Sequence, residues 1–339
     1  MKRNLLAILV GAFTIMMGSP LASQNNLDNI KAKGFVECGV SHNSPGFSIQ
    51  DGAGDWTGLD VDFCRALAAA VLGDSGRVKF TPLSVEEGFT NLKSGYIDVL
   101  SRNVTWTAKR DTALGVKFVG VNFYDGQGFM VRRSLGVSSA AGLNGSSICI
   151  TSGTASEENV GDYFRSNGLN YRFVRGATAA AAEQAYDSGR CDVLSGDISA
   201  LFAHRSKLNN SGAHLVLPEV ISKKPRGPVV RQGDDQWFNV ARWTLNAMIN
   251  AEELGVAQTN VDQMRGSNNV SIKTLLGTQG NIGGAQGLSS DWAYNIIAAV
   301  GNYSESFEAS FGRGSTLDMP RGLNALWDQG GVMYAPPIH

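Results

Sequence analysis

The sequence predicts an α/β protein built from two doubly wound lobes that are joined by a two-crossing hinge. First, strand and helix patterns alternate through residue 208, which is typical of parallel sheets covered by helices. Second, IDVLS at 97–101 is nearly repeated as CDVLS at 191–195, so the halves resemble each other. Third, 118–133 is an extended crossing and 218–235 a return. Two crossings form a hinge, with a ligand cleft between the lobes.

The first half predicts three strands and two helices. The strands lie over 34–40, 77–83 and 97–101, and the helices over 59–72 and 86–95. Apolar residues at helical spacing predict the first helix, and Gly73 ends it. The polar segment 51–58 predicts a hairpin tip, since its acidic residues lack the spacing of a calcium loop.

The second half repeats this order and then returns to the first lobe. It predicts strands over 146–151, 170–175 and 191–196, and helices over 156–168, 177–189 and 197–208. Another helix follows over 237–255. We expect lobe 1 to comprise residues 24–124 and 225–339, and lobe 2 to comprise residues 125–224. The aromatic-rich C-terminal extension should buttress lobe 1.

The N-terminus predicts export. Two basic residues, an apolar run over 5–17 and small residues before the cut are typical of a secretory signal peptide, which we place at 1–23. Cleavage falls after Ala22 or Ser23. No cysteine lies directly after the apolar run, so a lipid anchor is not expected. We therefore expect a periplasmic protein.

The charge balance argues against nucleic acid as a partner. Removing Lys2 and Arg3 from the 29 basic residues leaves 27 against 30 acidic ones, a formal charge of about −3. No motif indicates a metal or a cofactor. We expect a monomer.

Four cysteines in an exported chain predict two disulfides rather than a zinc site, because their spacing does not bring ligands together in pairs. Cys38 and Cys64 share the first segment, and Cys149 and Cys191 share the second. A bond between segments would fasten lobes that must move, so we favour pairing within each segment. Four buried free thiols are the alternative.

Three segments leave strands where ligands bind in such sheets. They are 101–111, 151–158 and 195–197. The first carries cations and polar groups. The second predicts the start of a helix with a capping box between Thr154 and Glu157. Free backbone N–H groups at the start of that helix would favour a carboxylate. The third ends in Asp197. Together they supply a partner for each charge of a free α-amino acid.

Each charged residue also has a purely structural interpretation. Arg110 could pair with Asp111 or Asp98 at the surface, and Asp197 could cap the helix that follows it. The shared placement of all three segments at strand ends favours the binding interpretation.

These motifs carry a family resemblance. The run IDVLSRNVTWTAKRD, the turn GTASE and the segment RCDVLSGD resemble the periplasmic polar amino acid-binding proteins of ABC importers, solute-binding protein family 3, with the type II periplasmic binding fold. The C-terminal stretches resemble the larger, general L-amino acid-binding branch. The resemblance covers essentially the whole mature chain. It implies capture of L-amino acids and delivery to an inner-membrane ABC permease.

The resemblance also implies roles for individual residues. Arg110 would hold the ligand carboxylate, helped by the backbone around Thr105 and Ala155. Asp197 would hold the ammonium, assisted by Asn103 and the Thr105 hydroxyl. Phe47 would form an apolar wall of the site. His42 and Asn43 would lie near the mouth of the cleft. A small polar corner would consist of Thr154, Ala155 and Ser156.

Two positions depart from the family pattern. Val85 falls where smaller members have an aromatic platform, so stacking there is not expected. Arg102 replaces a small polar residue, and it either reaches an acidic or amide side chain or only fills space.

The other function classes find little support. An enzyme on this fold would need catalytic groups. The chain has only four histidines, and it lacks the G-x-S-x-G, H-E-x-x-H and G-K-[ST] motifs. A ligand sensor would need an attached signalling segment. We therefore expect a binding protein with a broad amino acid range that favours polar or acidic side chains.

Overall fold

A computed structural model describes residues 25–339, so the predicted signal peptide at 1–23 lies outside the described residues. The strands are β1 Val36–Val40, β2 Ile49–Gln50, β3 Trp56–Thr57, β4 Val78–Pro82, β5 Val99–Leu100, β6 Val116–Phe118, β7 Phe123–Asp125, β8 Gln127–Arg132, β9 Ser146–Thr151, β10 Tyr171–Gly176, β11 Val193–Asp197, β12 His214–Val216, β13 Lys224–Arg226 and β14 Val229–Arg231.

The helices are α1 Asn26–Lys33, α2 Leu59–Leu72, α3 Val85–Ser94, α4 Ala108–Ala113, α5 Ala155–Ser166, α6 Ala179–Asp187, α7 Ile198–Lys207, α8 Asp235–Glu253, α9 Val261–Met264, α10 Val270–Leu275, α11 Ile282–Gln286, α12 Trp292–Val300 and α13 Tyr303–Ser310. Within the described part of the chain, no helix combines the length and apolar character needed to cross a membrane.

Two five-stranded sheets organise the chain into two lobes. The first has the order β4-β1-β5-β14-β6, and the second has the order β10-β9-β11-β8-β12. In each sheet the early strands pair in parallel, and the strand that follows a crossing pairs antiparallel. A two-stranded ribbon of β7 and β13 lies between them, where the chain crosses out and back. The two predicted crossings thus pair with each other in a hinge.

Local chemistry explains where the main helices begin and end. Helix α3 starts with a capping box between Ser84 and Glu87, and Gly95 ends it in the left-handed conformation. Helix α2 ends at Gly73 in the same way. The hairpin predicted at 51–58 forms between β2 and β3.

The C-terminal extension packs into the core of the first lobe and also reaches the hinge. Helix α12 packs against α2 and α8, and Phe307 and Phe311 are fully buried. The buried Asn324 side chain bonds both backbone groups of Tyr124 in β7, at 2.6 Å to the nitrogen and 3.1 Å to the oxygen. Arg205 of α7 donates to the backbone oxygen of Leu317 at 3.0 Å. The extension therefore contacts the hinge strand and the second lobe.

Both disulfides form within a lobe, as the segment argument favours. Cys38 in β1 bonds Cys64 in α2, and Cys149 in β9 bonds Cys191 just before β11. No cysteine of the chain is free, so the alternative of four free thiols is wrong for this structure. Neither bond crosses the hinge, so neither fastens one lobe to the other.

Replacing both Cys149 and Cys191 with alanine should lower the free energy of unfolding by about 4 kcal/mol, because the bond closes a loop with a sequence separation of 42 residues. Urea denaturation of the oxidised proteins measures the loss. The Cys38→Ala, Cys64→Ala pair is the matched comparison and should lose about 3 to 4 kcal/mol. An unchanged midpoint in either variant would show that the bond does not restrict its unfolded chain.

Candidate functional site

The strand-end segment of the first lobe lies against the return crossing of the hinge. Thr105 forms an isolated β-bridge with Arg226. On either side, the Trp106 N–H donates to the Pro225 oxygen at 2.7 Å and the Gly227 N–H donates to the Val104 oxygen at 3.1 Å. Backbone pairing therefore fixes the 104–106 segment beside the residues that enter and leave β13.

Asp197 faces two cations of the hinge. It ends β11 and occupies the N-cap position of α7, but its side chain makes no capping hydrogen bond. Its Oδ2 accepts from Arg226 Nη2 at 2.7 Å, and its Oδ1 pairs with Lys224 Nζ. The interpretation of Asp197 as only a helix cap is therefore wrong in the structure.

Asp125 caps α7 instead, from the hinge strand β7. Its carboxylate accepts from the Ser199 N–H at 3.3 Å and the Ser199 hydroxyl at 2.5 Å, and it pairs with Arg226 at 2.7 Å. Burial raises the pKa of Asp125; Arg226 opposes that shift and Asp197 adds to it. Because Asp125 satisfies the helix start, the Asp197 carboxylate is left to face the hinge.

Arg226 is held by aromatic packing as well as by ion pairs. Its guanidinium lies 5.1 Å from the ring centre of Phe47, which packs in turn against Phe123 and Phe311. Phe47 is only 2 % exposed. Phe47, which was predicted as an apolar wall of the site, therefore packs against the Arg226 guanidinium.

Arg110 has none of the predicted surface partners. Its Nη1 donates to the Thr105 oxygen at 2.8 Å, and it makes no ion pair with any described residue. Asp98 pairs with Lys33 at 2.6 Å instead. Its guanidinium is partly removed from water, and this burial lowers the pKa of Arg110. The interpretation of Arg110 as a partner of Asp98 or Asp111 is therefore wrong.

Arg102 extends the positive charge of the site. Its Nε donates to the Leu83 oxygen at 3.2 Å, and it is half-buried. Burial lowers its pKa, Asp60 opposes that shift, and Arg110 and Arg226 add to it. The guanidiniums of Arg110 and Arg226 therefore lie close enough to act on that of Arg102.

Asp60 organises the strand-end loop, a role that sequence reasoning missed. This buried carboxylate accepts from the Ser101 hydroxyl at 2.9 Å, the Asn103 N–H at 2.6 Å and the Asn122 side chain at 3.2 Å. Burial raises its pKa against those hydrogen bonds. Asn103 adopts a left-handed backbone (φ 51°), and its amide donates to Ser44 at 2.7 Å. The missed signal was an acidic residue on the buried face of an apolar helix.

The small polar corner lines a cavity in the second lobe. This cavity, of about 260 Å³, is bordered by Thr154 and Ser156 at the start of α5 and by Asp197. The fully buried Gln127 donates to the Ser156 oxygen at 2.8 Å and to the Ser195 hydroxyl at 3.0 Å. Ala155 is the first residue of α5. The corner is thus joined to the strands β8 and β11.

The capping box predicted at Thr154 and Glu157 is wrong. The Thr154 hydroxyl donates to the Thr151 oxygen at 2.9 Å, while Glu157 accepts from the Gly153 N–H at 2.9 Å and pairs with Arg175 at 2.6 Å. Those partners divert both side chains. The side chain of Thr154, the N-cap residue of α5, therefore makes no hydrogen bond to the first N–H groups of the helix.

The structure brings most predicted residues towards the hinge but leaves others apart. His42 and Asn43 are exposed. The residues that sequence reasoning missed are Asp60, Asp125, Gln127, Lys224 and Arg226. Lys224 and Arg226 fall in the segment predicted as the return crossing, and their positive charges beside the expected cleft could have marked them as site residues. Over residues 25–339, no group of three or more His, Cys, Asp or Glu side chains could hold a metal ion.

Comparison with known proteins gives relatives along the full chain. The chain is 53 % identical over 340 residues to the general L-amino acid-binding periplasmic protein AapJ of Rhizobium johnstonii, with 100 % of each chain covered. It is 47 % identical to the glutamate/glutamine/aspartate/asparagine-binding protein BztA of Rhodobacter capsulatus, covering 94 % of each.

A solved structure shows the same fold. An ABC transporter periplasmic binding protein from Brucella ovis with glutathione bound is 50 % identical, with a TM-score of 0.81 over 93 % of this chain and 99 % of that one. The family model for bacterial extracellular solute-binding proteins, family 3, matches residues 36–142. The relatives that match the full chain agree with the two sheet-bearing lobes and the paired hinge. The chain belongs to the bacterial extracellular solute-binding proteins, family 3.

Proposed function

We propose that this protein captures free L-amino acids by closing its two lobes and delivers them to an ABC permease. The observation that carries the proposal is the pair of charged groups beside the hinge. Arg110 in the first lobe has no ion pair among the described residues, and Asp197 in the second lobe is released from helix capping by Asp125. A zwitterion offers a partner to each.

The ligand carboxylate would bind Arg110, with the backbone at Thr105 and the uncapped start of α5 at Ala155 as further donors. The ammonium would bind Asp197, and the Thr105 hydroxyl and Asn103 would assist it. Since these groups belong to different lobes, the ligand stabilises the closed form by contacting both. This mechanism requires no covalent step, so the protein acts as a carrier and not as an enzyme.

The pairing of the two crossings in the hinge ribbon supports the lobe boundaries. We assign residues 24–124 and 225–339 to lobe 1 and residues 125–224 to lobe 2, which divides β7 and β13 at the crossings. The relative AapJ and the Brucella ovis protein are named as periplasmic, and the sequence pattern at 1–23 indicates export; both observations support the periplasm as the location. The carrier would work as a monomer that docks on the permease.

Glutathione is a second candidate ligand. The 50 % identical structure from Brucella ovis has glutathione bound. The γ-glutamyl group of glutathione keeps a free α-carboxylate and α-ammonium, so Arg110 and Asp197 could hold it as they would hold an amino acid. The rest of the tripeptide would then extend into the cleft.

A thermal-unfolding screen tests the proposal. The twenty L-amino acids and glutathione are added to the mature protein, with D-amino acids and sugars as controls. Several L-amino acids should raise the midpoint, because a ligand that binds only the native state stabilises it by mass action. A shift with glutathione alone would favour the second candidate. No shift, after refolding from denaturant to remove a retained ligand, would contradict both.

Asp197→Ala should weaken amino acid binding about 30-fold or more, because truncating one partner of a buried ion pair costs several kcal/mol. Isothermal titration calorimetry measures the affinity. The control is Asp162→Ala, which removes an exposed carboxylate from the same lobe and should leave affinity unchanged. Near-normal affinity in the Asp197 variant would contradict the zwitterion arrangement.

Arg102→Ala should weaken binding of glutamate and aspartate more than binding of alanine or leucine, by about tenfold, because it removes a half-buried charge-assisted donor. Arg77→Ala removes an exposed arginine from the same lobe and serves as the control. Equal losses for acidic and neutral ligands would assign Arg102 to packing alone.

A further inference from the structure

We infer that Lys224 is a built-in competitor for the ligand ammonium, so that it sets the affinity of the site; this inference rests on the proposed function. Lys224 Nζ contacts Asp197 Oδ1, the oxygen that Arg226 does not contact. Both oxygens of the carboxylate are therefore paired with cations of β13. An incoming ammonium must share Asp197 with one of these cations or displace it.

Arg226 is the fixed partner. Its side chain is 9 % exposed, pairs with both Asp125 and Asp197, and stacks on Phe47. Moving the guanidinium away from Asp197 would also take it away from Asp125 and Phe47, because it contacts all three. Breaking a buried ion pair in this way is strongly unfavourable.

Lys224 is the displaceable partner. Its side chain is 26 % exposed, and Asp197 is the carboxylate with which it pairs in the described part of the chain. It also borders an open groove of about 480 Å³ formed with residues 220–225, Leu323 and Val332. The flexible stem can withdraw towards this groove, where water solvates the released ammonium.

The local charge count makes this exchange balanced. Asp125 and Asp197 supply two negative charges, while Lys224 and Arg226 supply two positive ones. An α-ammonium that replaces the Lys224 ammonium keeps Asp197 paired with two cations. A ligand that lacks an ammonium leaves the Lys224–Asp197 pair in place, so Lys224 opposes the binding of amino acids but not that of their deaminated analogues.

The competition makes an unusual prediction, namely that removing a charged residue from the site tightens binding. Lys224→Met should lower the dissociation constants of L-alanine and L-glutamine about two- to fivefold, the size expected when one partly exposed ion pair no longer competes. Isothermal titration calorimetry at constant ionic strength measures both ligands. Lys224→Gln repeats the test with a polar side chain.

Lys223→Met is the matched control, because Lys223 is the exposed neighbour with the same charge; it should leave both constants unchanged. Thermal midpoints verify that each variant is folded. Unchanged or weaker binding in both Lys224 variants, with normal binding by the parent protein, would overturn the competitor role alone. A parent protein that binds no amino acid would overturn the proposed function, and the competitor role with it.

Discussion

The structure around the cleft depends on one buried interaction, the bridge that Arg226 makes between Asp125 and Asp197. Each carboxylate lies 2.7 Å from the same guanidinium nitrogen. The bridge joins three strands, since Arg226 lies in β13, Asp125 in β7 and Asp197 at the end of β11. Removing one member of such a buried group costs several kcal/mol, because the remaining charges lose their partner. The hinge ribbon and the second lobe are therefore coupled electrostatically.

The C-terminal extension supports the same region from the opposite side. Phe311 packs against both Phe47 and Phe123, so the ring beneath Arg226 and the hinge strand share one aromatic cluster. Asn324 bonds the backbone of Tyr124, and Arg205 reaches back from α7 to the extension. The extension thus does more than cover the first lobe, because it contacts the elements that must rearrange when the lobes move.

Sequence periodicity and end signals were sufficient to predict most of the fold. Gly73 ends α2 where the pattern predicts it, and strand β9 covers the predicted residues. These elements are local, so neighbouring residues decide them. The capping box at Thr154 does not form because the Thr154 hydroxyl bonds the Thr151 oxygen, and because Glu157 bonds the Gly153 N–H and pairs with Arg175, which is distant in sequence.

The site was predicted only in outline. Arg110 and Asp197 could be found because they follow predicted strands. The pairing of Asp197 with Lys224 and Arg226 could not, because it joins residues 27 and 29 positions apart whose distance depends on how the crossings pair. Asp60 was missed because periodicity ranks positions by apolar character, whereas this carboxylate is buried to hold three donors.

The most direct test of the account is whether an L-amino acid closes the two lobes. Small-angle X-ray scattering of the mature protein, with and without saturating ligand, measures the change in radius of gyration. The account predicts a smaller radius with L-amino acid, and a much smaller decrease for Asp197→Ala at the same ligand concentration. Ligand binding seen by calorimetry without any decrease in radius would contradict closure as the mechanism.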